Sequence, residues 1–150
     1  MVTCNSPIFS DDERLPDNSL DKTLTTLRQI RNHRLAASKR KLFKEKRLLQ
    51  GLENALRHEQ QMADKQYQHY QAIRQNFVID LQKSNNHKRE LAVSLDNEFV
   101  EKTTLASIKE NIAAIKQQKQ VQHKKINIAT TDVRQREIKV EKLDYLYPRQ

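Results

Sequence analysis

Glycine is almost missing: Gly51 is the only one in 150 residues. That excludes a glycine-rich phosphate loop and the tight turns of a β-rich fold. Three prolines are present, and none lies between Asp17 and Tyr147. Tryptophan is absent and aromatics make up 5%, so a large globular core is not expected. The single cysteine, Cys4, excludes an internal disulfide framework and is compatible with a reducing compartment. No apolar run approaches the roughly 20 residues of a membrane span. The N-terminal segment has no basic stretch leading into an apolar one, so a Sec-type signal is not expected. Five histidines (His33, His58, His69, His87, His123) occur, but none stands three or four residues from another His or Cys. A metal-binding helix face is therefore not expected, and no nucleophile sits in a recognisable elbow. These absences together predict a protein with no cofactor, no metal and no catalytic residue.

What is present is helix-forming residues in a seven-residue rhythm. Counting by sevens from Leu35 gives Leu42, Leu49, Leu56, Ala63, Tyr70 and Phe77. Leu52 and Ile73 fall at the other core position, and Leu48, Ala55 and Met62 would widen the stripe. This is the signature of a helix whose seam faces another helix. The second core column is weak, since Ser38, Glu45, Glu59, Gln66 and Asp80 occupy it. Upstream, Leu20, Leu24, Leu27 and Ile30 open the pattern. Gly51 inside this helix costs roughly 1 kcal/mol relative to alanine.

A second pattern runs from about Lys88 to Leu146, in register at Leu105, Ile108, Ile112, Ile115, Ile126, Ala129, Val133, Val140, Leu143 and Tyr147. Lys119, Gln122 and Arg136 interrupt it. Leu95 and Phe99 are out of phase, which predicts a register slip near its start. Between the two patterns lies the polar cluster Lys83-Ser84-Asn85-Asn86-His87-Lys88. Two arms of similar length around a short connector predict an all-α fold in which two long helices form an antiparallel coiled-coil hairpin. The expected organisation is a disordered leader over 1–18, with Asp17 or Ser19 as helix cap, then a hairpin over 19–147 turning near 84–88. A continuous helix with a slight kink is the competing reading, and it would leave both seams wet.

The formal net charge of +9 is unevenly placed. From Arg28 to Arg47 there are nine bases against Glu45. Residues 123–142 hold six bases and three acids, whereas 48–122 hold ten bases and nine acids. The hairpin would bring the first two stretches together at its open end. A solvated face is the plain explanation of such runs. A docking surface for an acidic partner is the sharper one, because a partner would relieve the repulsion between the arms.

One nucleic-acid pattern competes. Asn32 to Lys41, followed by Leu42, Leu49 and Leu56, looks like the basic region and zipper of a DNA-binding coiled coil. Asn32 stands one residue too far from Ala36-Ala37, however. Apolar periodicity also continues upstream where a groove-reading helix would be polar, and the second arm stays unexplained. Nucleic acid is therefore the alternative partner, and a tether or dimeric coiled coil is a third reading.

The start Leu24-x-x-Leu27-Arg28-x-x-Arg31-x-x-Arg34-Leu35-Ala36-Ala37 and the close Arg136-Glu137-x-Lys139-x-Glu141-Lys142-Leu143, on a two-helix layout of this length, resemble the FliJ/YscO family. These are the stalk proteins of flagellar and virulence type III secretion ATPases. The resemblance covers about 20–147. It implies a non-catalytic shaft that couples a hexameric ATPase to an export gate protein, in the cytoplasm and peripheral to the inner membrane. On that resemblance Arg28, Arg31, Arg34, Lys39, Arg40, Arg134, Arg136 and Lys139 would meet the ATPase. Phe77, Leu81, Ser84 and Lys88 would face the gate or secretion chaperones, although Phe77 and Leu81 can equally be hairpin core.

Overall fold

A computed structural model describes residues 15–83 and 87–148, with backbone alone for 15–17 and 87. Two helices account for almost all of it, α1 (Leu15–Lys83) and α2 (His87–Leu146). They pack against each other as an all-α hairpin, and no strand occurs among the described residues. The uninterrupted run of good helix formers explains their length. Lys83 in the last turn of α1 and Glu90 in the first turn of α2 have the charge signs that the helix dipole favours at each end.

The boundaries differ from expectation at three places. α1 begins at Leu15, so 15–18 belong to the helix and neither Asp17 nor Ser19 caps it; residues 1–14 lie outside the described ones. Pro16 stands in the first turn, where a missing N–H breaks no intrahelical bond. α2 begins at His87, so Lys88 is helical; the expected turn residues Ser84 to Asn86 lie outside the described residues. α2 ends at Leu146, because the residue before Pro148 is disfavoured in helical conformation. Tyr147 is consequently exposed rather than in the seam, and its N–H still reaches the Leu143 carbonyl at 2.9 Å.

The paired helices divide into two units. The first comprises Met1–Phe43 and Ile128–Gln150, described over 15–43 and 128–148. Its most buried residues are Ser38, Ala129, Val133 and Leu143. Arg31 donates from Nη1 to the Lys139 carbonyl at 2.8 Å, and Ser38 donates from Oγ to Asp132 Oδ2 at 2.6 Å. From Arg31 to Ser38 the numbering rises by seven; from Lys139 to Asp132 it falls by seven. Only antiparallel helices meeting along a heptad seam give that relation.

The second unit, Lys44–Asn127, repeats the logic with different chemistry. Leu105 and Ile108 are its buried apolar centre. Gln122 donates from Nε2 to both the backbone carbonyl and the carboxylate of Glu45. Gln66 does the same to Glu101. Gln66 is 21 residues after Glu45 and Glu101 is 21 before Gln122, so the two layers are mirror images three heptads apart. Lys119 lies 3.9 Å from Glu53. Glu45, Gln66, Lys119 and Gln122, which interrupt the apolar columns, are thus seam members with partners across the interface, whereas Asp80 is exposed.

Near the start of α2 the half-buried positions run Glu90, Ser94, Glu98 and Glu101, with two successive steps of four. Ser94 and Glu98 take the seam, and Leu95 and Phe99 are left 53% and 71% exposed. Tyr70 donates its hydroxyl to Glu98 at 2.9 Å, which raises the phenol's pKa above its usual value. Leu48, Ala55 and Met62 do not widen the buried stripe of α1; all three are exposed, as are Leu20 and Ile30 in the first unit. A two-helix seam covers two columns, and the flanking columns stay uncovered without a third helix.

No described side chain is fully buried, so each apolar seam residue matters to a thin core. Leu105→Ala is expected to destabilise the hairpin by about 2 kcal/mol, whereas Leu95→Ala should stay within about 0.5 kcal/mol. Urea unfolding followed by helical circular dichroism measures both. Equal effects would show that Leu95, not only Leu105, is covered.

Candidate docking surface

Three arginines spaced by three, Arg28, Arg31 and Arg34, drift across the face of α1 in the first unit. Two of them belong to the seam. The Arg28 side chain is 13% exposed, with Nε 3.5 Å from Asp144 Oδ1 and no hydrogen-bond partner for that buried nitrogen. Arg31 is tied to the Lys139 carbonyl. On α2, Arg136 donates from Nε to both Asp132 oxygens at 3.2 Å, one turn before it. Lys39 lies 3.9 Å from Glu137, an exposed pair of little energetic weight.

These contacts use up Asp132, Glu137 and Asp144. Among the described residues, Arg31, Arg34, Arg40, Arg134 and Lys139 form no ion pair with a carboxylate. Arg34, Arg40, Arg134 and Lys139 are also exposed. Arg31, Arg34, Arg136 and Lys139, with Leu27, line one cavity of about 170 Å³. Cations from both helices therefore converge on one notch, and the sequence reading had placed all four in one docking set. Leu27 was read only as part of the helical pattern. Its place beside Arg31 and Arg34 on the same helical face was the available signal.

Asp132 anchors this arrangement. The Ser38 hydroxyl, donating to the carboxylate, holds its pKa below the usual 3.8, and Arg136 and Lys41 act in the same direction against partial desolvation. A carboxyl depressed on folding stabilises the fold above its unfolded pKa and loses that contribution as pH falls through the folded value. Ser38→Ala should therefore lower the melting temperature at neutral pH, and the gap to wild type should be smaller at about pH 2 than at neutral pH. Melting curves at the two pH values check this; a gap unchanged by pH would mean that Ser38 acts through packing alone.

The residues expected to face other partners lie elsewhere. Phe77 and Leu81 occupy half-buried seam positions in the second unit, Lys88 is exposed in the first turn of α2, and Ser84 is outside the described residues. His69 Nε2 lies 3.4 Å from Glu101, and no group of three or more potential metal ligands occurs among the described residues. Among them too, no helix is long and apolar enough to cross a membrane. Compared with protein-family models, curated proteins and solved structures, the chain matches none.

Proposed function

We propose that this chain is the non-catalytic central stalk of a bacterial type III secretion ATPase complex, flagellar or virulence, coupling the hexameric ATPase to the export gate protein, with secretion chaperones as further partners. The observation that supports it most is the set of exposed cations in the first unit that have no carboxylate partner among the described residues. Acids there neutralise Arg28, Lys39 and Arg136, and leave Arg34, Arg40, Arg134 and Lys139 facing solvent from both helices. Exposed, unpaired cations steer an acidic partner over long range and tolerate several relative orientations, which suits a shaft turning inside a ring. The working location on this reading is the cytoplasmic side of the inner membrane.

The leucine-zipper alternative needs the basic helix to enter a major groove while the following leucines dimerise. In the first unit that helix is already bonded to α2 through Arg31 and Ser38. This favours the stalk over a groove-reading helix.

The double variant Arg34→Glu with Arg134→Glu tests the proposal, because both side chains are exposed and neither holds the seam. It should abolish co-purification with a hexameric secretion ATPase and leave helicity intact. A complex that survives the double reversal refutes the docking role. Salt-steep binding to duplex DNA, lost in the same variant, would move the assignment to nucleic acid.

A further inference from the structure

Gly51 stands inside α1 with ordinary helical backbone. Glycine weakens a helix interior, because it adds backbone freedom to the unfolded chain and no side-chain contact. Its two usual justifications are missing. Its φ is not positive, and a Cβ built on it would meet nothing within 4 Å. The hairpin itself therefore has no use for a glycine here.

What the missing side chain does is open a surface. In the second unit Leu48, Gly51 and Leu52 of α1 and Ala114 and Val121 of α2 line a shallow, mainly apolar groove of about 760 Å³. Leu48 is 51% exposed and Val121 48% exposed. The spacings, one turn between Leu48 and Leu52 and two between Ala114 and Val121, are those that a third helix laid along two others would meet. The polar lining consists of amides and two cations, Arg47 and Lys125, and contains no carboxylate.

We propose that this groove docks an amphipathic helix of a partner protein, with small aliphatic side chains entering over Gly51 and Asp or Glu on its flanks meeting Arg47 and Lys125. A second copy of the chain is the wrong occupant. Each copy would bring the same two cations and a formal net charge of +9, so like charges would oppose across the contact. The surface differs from the arginine notch in residues and in chemistry, and stands whether or not the chain is a secretion stalk.

The test uses the full-length chain and a labelled synthetic helical peptide with Leu and Ala on one face and Glu on both flanks, followed by fluorescence anisotropy. The peptide should bind wild type, and a version with Lys for Glu should not. Gly51→Leu puts a side chain into the groove, with a Cβ that meets nothing within 4 Å, and should weaken binding by at least about tenfold, as loss of a central contact does. Its melting temperature should be unchanged or higher, because leucine is the better helix former. Arg34→Glu with Arg134→Glu should leave peptide binding as it is, which separates this site from the arginine notch. Failure of the peptide to bind, equal binding by Gly51→Leu, or equal binding of the Lys peptide would each overturn the proposal. So would a wild-type dimer, seen by light scattering, that Gly51→Leu converts to monomer.

Discussion

The fold depends on polar side chains meeting their complements across a narrow seam. Ser38 finds Asp132, Gln122 finds Glu45, and Gln66 finds Glu101, each at a position where an ordinary coiled coil would place leucine. Every such group left unpaired on burial costs about 1–3 kcal/mol. Paired, each contributes little net stability. What the pairs supply is a penalty on every other alignment, the best-attested use of buried polar groups in helical seams.

That arrangement explains why so little of the molecule is deeply buried. A seam shared between aliphatic and polar residues has only a modest apolar area to remove from water. In the first unit the same economy meets an excess of positive charge that the local acids do not balance. Self-repulsion of this kind opposes the compact state, and a bound anionic surface offsets it. The cations that hold the unit together, Arg28, Arg31 and Arg136, are those turned toward the seam; Arg34, Arg40, Arg134 and Lys139 are turned outward to solvent. The unit thus divides its arginines between seam and solvent according to where each falls in the heptad.

The leucine column from Leu35 to Phe77 and its counterpart around Leu105 to Leu143 were legible in the sequence, because a repeat of seven survives any detail of packing. The breaks in the pattern were less so. Lys119, Gln122 and Arg136 read as interruptions when each arm is taken alone. Lys119 and Gln122 become partners of Glu53 and Glu45 only when the arms are laid antiparallel, whereas Arg136 pairs with Asp132 on its own helix. Arg31 with Lys139 and Ser38 with Asp132 are both centred on position 85, inside the polar cluster that marked the turn. Leu48, Ala55 and Met62 misled for the opposite reason: hydrophobic character places a residue near a seam, but the number of partner helices decides whether it is covered. Gly51 had no visible purpose in the sequence, since a cost in a helix gains meaning only once the surface it opens is known.

Register selection can be worked through in the second unit. Sliding the helices by one heptad in one direction sets Glu101 opposite Glu59 and Glu45 opposite Ile115. The first juxtaposition opposes like charges, and the second strands a carboxylate against an aliphatic side chain. Sliding the other way sets Gln66 opposite Ile108, Gln122 opposite Leu52 and Glu101 opposite Ile73. Each of these leaves a polar group without its partner, at about 1–3 kcal/mol apiece, in a protein whose thin core leaves little stability in reserve. A seam of leucine alone would be more stable and nearly indifferent to such a slip, or to pairing with another chain. The polar layers therefore do for this hairpin what a compact core does for a globular domain: they make one arrangement better than its neighbours, and they fix which cations of α1 and α2 end up side by side.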